Sequence, residues 1–269
     1  MNNSALVTRP ASAIEKAAPG AKRVLARMVA EMIALAETKA LLEFSPNKSL
    51  LLESWCKKGE SYCDGRSVPK DFVEAARWFR MAAEKGHVRA QFWLGSFYQA
   101  GQLGIMQNWT EAVKWYRKAA EQGNADTQHN LGFCYYNGEG VQKNYTEAVN
   151  WFRKAAEQNL AQSQRILGLC YANGRGVEKD YAEAVKWYLK AAEQNNAKAQ
   201  NNLGVCCENG KGVPQDFPEA YKFYKLAAEQ NLESAVKSLK QVAARMTAVE
   251  IAEGERRVRK FRSQKNLKK

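Results

Sequence analysis

The sequence predicts an all-α solenoid of five antiparallel helix-pair repeats with a capping helix at each end, and three observations carry that reading. An Ala-x-x-(Trp/Phe)-aromatic-x-x-Ala-Ala-Glu block recurs from Ala75, Ala112, Ala148, Ala184 and Ala220, at spacings of 37, 36, 36 and 36 residues. A fixed period in that range belongs to arrays in which each unit buries its apolar face only against its neighbours. A second block, Leu-Gly-x-x-Tyr, precedes it at Leu94, Leu131 and Leu167, and at Leu203 with Cys207 in place of the tyrosine. Between the blocks lie capping residues and glycines at matching positions, so each unit divides into two helices.

Residues 1–20 are small and polar, with Pro10 and Pro19, and read as disordered. Over 21–48 the apolar positions Leu25, Met28, Met32, Leu35 and Leu42 keep a helical period. The resulting amphipathic helix is expected to cover the open end of the array, with membrane-surface binding as the other reading. The repeats fill 49–231. Each second helix opens at Asp71, Asn108, Asn144, Asp180 or Asp216, followed three residues later by Glu74, Glu111, Glu147, Glu183 or Glu219. In this capping box the first side chain accepts from the opening amides and the glutamate reaches back to the cap amide. The same helices stop at Gly86, Gly123, Asn159, Asn195 and Asn231, types that tolerate the left-handed conformation beyond a helix end.

Within a unit, Asn137-Gly-Glu-Gly-Val141, Asn173-Gly-Arg-Gly-Val177 and Asn209-Gly-Lys-Gly-Val213 read as tight turns needing two glycines at positive φ. Ser67 replaces the second glycine in the first unit, and the second unit carries one extra residue between Gly101 and Asn108. One further helix over 232–246 is expected to cover the far end. In 247–269, Thr247 and Glu250 form another capping box, and a last short helix leads into a basic tail.

These blocks resemble the Sel-one-like repeat, a relative of the tetratricopeptide repeat with a longer inter-helix loop, over roughly residues 49–231. The resemblance implies a right-handed superhelix of antiparallel helix pairs that scaffolds protein complexes and binds through a concave face built mainly from the first helix of each pair. Cysteine-rich branches of that family tie the two helices of a unit with disulfides. Here Cys56, Cys63, Cys134, Cys170, Cys206 and Cys207 all fall on first helices, which forbids such bridges. Free thiols, a reducing compartment and a cytoplasmic monomer without a secretory signal are therefore expected.

The formal charge of +13 is uneven. Residues 240–269 hold ten Lys or Arg against three Glu, which leaves the repeats close to neutral. Nucleic-acid binding is thus disfavoured at the repeats and stays open at the tail. Some proteins with such repeats have been assigned β-lactamase activity, but Ser-x-x-Lys occurs four times here without its companion elements, at Ser45, Ser54, Ser67 and Ser234. With only His87 and His129 as histidines, neither at zinc-ligand spacing, no metal, no cofactor and no enzymatic activity are expected.

The candidate binding residues are the first-helix positions that differ from copy to copy. They are Arg89, Phe92, Trp93 and Ser96, with Gln99; then Asp126, His129, Asn130, Phe133 and Tyr136; then Arg165, Ile166 and Leu169, flanked by Gln162 and Ala172; and finally Asn201, Asn202, Val205 and Glu208, with Lys198. Spacings of three and four residues set each group on one stripe. The stacked stripes read as a groove for a peptide or protein segment, with the aromatics as anchors and Arg165 and His129 as polar contacts. An RNA-binding helical repeat and an exported, host-directed repeat protein are the alternatives.

Overall fold

A computed structural model describes residues 47–101 and 106–267. The chain divides into two compact units, Met1–Lys57 and Lys58–Lys269. Of the first, the described part is residues 47–57, where α1 (Lys48–Asp64) begins and Leu52, Trp55 and Cys56 are buried. The segments read as a disordered end (1–20) and a capping helix (21–48) lie outside the described residues, apart from positions 47 and 48.

Among the described residues there are twelve helices and no strand. After α1 come α2 (Phe72–Glu84), α3 (Val88–Ala100), α4 (Trp109–Glu121), α5 (Ala125–Asn137), α6 (Tyr145–Glu157), α7 (Ala161–Asn173), α8 (Tyr181–Glu193), α9 (Ala197–Asn209), α10 (Phe217–Ala228), α11 (Glu233–Ala243) and α12 (Ala248–Leu267). From α3 on, each first helix packs both on the second helix before it and on its own partner, which makes the array an α-solenoid. None of the described helices is long and apolar enough to cross a membrane.

The caps form as the residue types demand, with one correction. The side chains of Asp71, Asn108, Asn144, Asp180 and Asp216 each accept from the amide three residues on. The glutamates, however, do not close the box. Each cap residue's own amide already donates to the carbonyl of Tyr62, Tyr98, Tyr135, Tyr171 or Cys207, closing the inter-helix loop. Glu74, Glu111, Glu183 and Glu219 instead pair with a cation three residues further along. A reciprocal box exists at Thr247, whose amide donates to Glu250 (2.7 Å) while its hydroxyl accepts from the Glu250 amide (3.3 Å).

The packing within and between units rests on three repeated devices. First, the aromatic after each Trp or Phe lies over a first-helix glycine: a Cβ on Gly95, Gly132, Gly168 or Gly204 would stand 2.4–2.6 Å from the ring of Tyr116, Phe152, Tyr188 or Tyr224. Only glycine allows that approach. Second, a buried glutamine on each first helix donates to the end of the preceding second helix, Gln91 to Ala83, Gln128 to Ala120, Gln164 to Ala156 and Gln200 to Ala192, at 3.1–3.2 Å. Its own oxygen accepts from a glutamine just past the end of its unit's second helix, Gln122, Gln158, Gln194 or Gln230, each at 2.8 Å. Each first helix is thereby latched to two second helices, with the buried amides satisfied.

The third device corrects the reading of the loops. Gly138, Gly174 and Gly210 are αL caps as expected. The second glycine of each turn also has positive φ, but its function is contact between units. A Cβ on Gly140, Gly176 or Gly212 would fall 2.2, 2.1 or 2.3 Å from the carbonyl oxygen of Trp109, Tyr145 or Tyr181, in the first turn of the preceding unit's second helix. The first copy carries Ser67 at this position.

At the C-terminal end the expected short last helix is instead the longest one described, at 20 residues. It packs on α10, as does α11. Val258 is buried, Phe261 meets Phe223 edge to face, and Gly254 lets α12 approach the Tyr221 ring. Basic residues of this last segment are partly committed to this docking. Arg257 bridges Asp216 (2.7 Å), Glu219 (3.0 Å) and Glu253 (2.7 Å), and Arg262 pairs with Glu229.

Candidate functional site

On α3, α5, α7 and α9 the positions shared by all copies, the Leu-Gly pair and the glutamine, are buried. The positions that differ lie on the neighbouring stripe, and most of them are half-buried.

On α3, Trp93 stacks on Phe79 (centroids 5.6 Å apart, planes at 13°), and its Nε1 donates to Glu60 at 3.2 Å. Glu60 also pairs with Arg89 at 3.0 Å, and Phe92 lies edge-on to Trp93. The Ser96 hydroxyl donates to the Phe92 carbonyl and accepts from Tyr116. On α5, His129, Phe133 and Tyr136 surround the Phe152 ring, with centroids at 5.8, 5.1 and 6.4 Å. Arg175, from the next unit's loop, donates to the Tyr136 hydroxyl, while Asp126 is exposed and Asn130 lies beside Tyr116.

On α7, Ile166 is a correction. Expected in the groove, it is buried in a core with Leu167, Phe152 and Trp187, because its helical position turns toward the preceding second helix. Leu169 packs against the cores on both sides. Arg165 is half-buried, and loss of hydration pulls its guanidinium below its usual basicity. On α9, the Asn201 Oδ1 is shielded and without a partner among the described residues, Asn202 lies beside Tyr188, and Val205 is exposed. Glu208 accepts from Tyr224 (2.8 Å) and Arg245 (2.5 Å).

Sequence reasoning missed what lies beneath this stripe. The second-helix aromatic under it is Phe79, Tyr116, Phe152, Tyr188 or Tyr224, and the stripe changes in step with it. Over the phenylalanines the stripe is aromatic: Trp93 over Phe79, and His129, Phe133 and Tyr136 over Phe152. At the tyrosines it brings a polar group toward the hydroxyl end of the ring, with Ser96 and Gln99 at Tyr116, Asn202 beside Tyr188 and Glu208 at Tyr224, while Leu169 packs against the cluster that holds Tyr188. The Tyr116 and Tyr224 hydroxyls thus have partners, as burial requires. The signal was the alternation of Phe and Tyr within a block whose shared feature is aromaticity.

The charge states follow from burial. His129, with Nδ1 at 2.7 Å from the Ser163 hydroxyl, is pushed down from 6.5 to about 4 by burial first and the Arg165 charge second, against a smaller opposing pull from Asp126. Because the unfolded chain takes up a proton more readily, this site's contribution is intact above 6.5 and is lost as pH falls toward 4. The expected loss is about 3 kcal/mol. Thermal unfolding between pH 7 and pH 4 should show a shallower decline in His129→Asn than in the wild type, and parallel curves would contradict the assignment. Burial also pushes the Cys134 and Cys207 thiols up to about 12, and those of Cys170 and Cys206 up to about 11, so they are poor nucleophiles.

The Sel1 repeat family matches the chain five times, at residues 59–87, 88–124, 125–160, 161–196 and 197–232. The chain belongs to the Sel1 repeat family. Among solved structures, a Sel1 repeat protein from Oxalobacter formigenes is 37% identical, with a TM-score of 0.67, over 78% of this chain and 84% of that one. A protective antigen of uropathogenic Escherichia coli strains, displaying an SLR fold, is 33% identical with a TM-score of 0.72 over 83% of this chain. The match spans 48% of that antigen, about half its length. No curated protein matches the chain. Sel1 repeat proteins are generally protein–protein interaction scaffolds, typically without catalytic activity.

Proposed function

We propose that this Sel1 repeat protein is a non-catalytic adaptor, a monomer of the cytoplasm, that holds an extended peptide or protein segment along the first-helix stripe of α3, α5, α7 and α9. The observation that carries this is the stepwise change of the stripe together with the aromatic beneath it. Four successive units offer unlike surroundings: Trp93 and Phe92, then the aromatic cluster of α5, then Arg165, then Asn201, Asn202 and Val205. A row of unlike subsites at a regular step suits a linear ligand, each subsite reading one part of it.

The test uses positions that are exposed and free of core packing. Asp126→Arg combined with Val205→Arg introduces two bulky cations on the stripe, while Leu189→Arg, on α8, is the control. In affinity purification with mass spectrometry from the native host, the stripe variant should lose at least tenfold of the wild-type partners' signal and the control should keep it. Retention of every partner by the stripe variant would remove the stripe from the binding face.

A further inference from the structure

Among the half-buried cations, Arg165 differs from the rest. Arg257 bridges three carboxylates, and Arg117 and Arg153 donate to Tyr135 and Tyr171. Arg165 has neither a carboxylate partner nor a hydrogen bond among the described residues. Its surroundings do not neutralise it. The Tyr188 phenol beside it is raised well above its ordinary value by burial and stays uncharged, His129 is held neutral, and Asn201 and Asn202 carry no charge. Of the stripe's two carboxylates, Glu208 is engaged by Tyr224 and Arg245, and Asp126 is exposed at the start of α5. A cation held out of water without a counter-ion is unfavourable, and the unfavourable energy is relieved when a ligand supplies the anion.

Resting on the peptide-binding reading above, we propose that Arg165 receives the side-chain carboxylate of an extended peptide whose apolar side chain seats on the Phe133–Tyr136 cluster one unit away. Successive units are on the order of 10 Å apart, and an extended chain advances about 3.3 Å per residue, so the two side chains stand three residues apart. The guanidinium fork suits a carboxylate with two parallel hydrogen bonds. A peptide fits better than a nucleic-acid backbone. Phosphates repeat at every step, whereas the equivalent positions Phe92, His129, Arg165 and Asn201 hold a single permanent charge.

The probe is a random 12-residue peptide library displayed on phage and fused through its C-terminus, so that the acids read out belong to side chains. It is panned on the full-length wild type, Arg165→Gln and Arg165→Lys, after their melting curves confirm that each is folded. Wild-type binders should be enriched in Asp or Glu three residues from an aromatic or aliphatic residue, and Arg165→Gln should keep the apolar preference while losing the acidic one. For the best synthetic peptide, Asp→Asn or Glu→Gln should weaken wild-type binding roughly ten- to a hundredfold. The same change should matter less than about twofold in Arg165→Gln, and Arg165→Lys should fall between. Binders without acidic enrichment, or an acid-to-amide loss equal in wild type and Arg165→Gln, overturn the acid subsite while the stripe reading stands, provided Asp126→Arg with Val205→Arg abolishes their binding. Failure to enrich any peptide overturns both. Salt-sensitive binding of a 12-nucleotide RNA that disappears in Arg165→Gln overturns the carboxylate in favour of phosphate.

Discussion

Gly176→Ala is expected to destabilise the array by roughly 4 kcal/mol, while Gly174→Ala, two residues earlier in the same turn, costs about 1 kcal/mol. Both glycines have positive φ, +68° at Gly174 and +75° at Gly176, so the conformational penalty is shared. What differs is the surroundings. A Cβ at Gly174 would sit 3.2 Å from the Lys179 Cβ, a contact a small shift relieves, whereas at Gly176 it would lie 2.1 Å from the Tyr145 carbonyl oxygen and 2.4 Å from its carbon. Those are backbone atoms at the start of α6, and they yield only if the third and fourth units part. Urea unfolding followed by circular dichroism should give Gly176→Ala a lowered, broadened transition and leave Gly174→Ala close to wild type. Equal losses at the two positions would show that the second glycine serves the turn alone.

Phe152→Ala should cost about 3–5 kcal/mol, since it empties a fully buried site where collapse is limited. The ring is held against Gly132 on one side and His129, Phe133 and Tyr136 on the other, so its removal also releases the aromatic part of the stripe. Phe133→Ala, at the half-buried rim, should cost less than half as much. If the two variants melt together, the cluster is not organised by Phe152.

The helices were legible because their punctuation is local. An Asx residue three positions before a glutamate, and a glycine or asparagine after the Ala-Ala-Glu, act through neighbouring backbone and therefore recur in register. Asn159, Asn195 and Asn231 do adopt φ of 60–67°, as Gly86 and Gly123 adopt larger positive values. The same local reasoning assigned the capping glutamates wrongly. It could not show that Tyr98, Tyr135 and their equivalents, far along the chain, had already taken the cap amides. Both glycines of each loop were visible, but the second one's obligation lies about thirty residues back in another unit, and no turn rule reaches that far. The buried glutamines escaped notice for a related reason: Gln91 and its copies look like ordinary polar positions until their partners, Gln122 and its copies, are brought alongside.

The stripe was legible as a set of variable positions and less so in its exposure. Periodicity placed Ile166 on the same side as Arg165, yet one step around a helix separates a rim from a core, and at that step Ile166 joins the core that holds Phe152 of the preceding unit. Trp93 and Arg89 were read as contacts for a ligand, although both are bonded to Glu60 of the first unit.

The joints also govern how such a chain can change length. The glutamine latch, the glycine on a carbonyl and the Arg–Tyr pair have the same chemistry between the second and third units as between the third and fourth, so excision of residues 125–160 would bring Arg117 against Tyr171 and Gly176 against Trp109 and re-form these three contacts. The last joint is different. There the Arg–Tyr pair gives way on both sides at once, to Leu189 and the buried Cys207, and excision of 161–196 would leave Arg153 facing a thiol. The middle of the stack is made of interchangeable modules, while the fifth unit is keyed to the fourth and fixes the order in which the array ends.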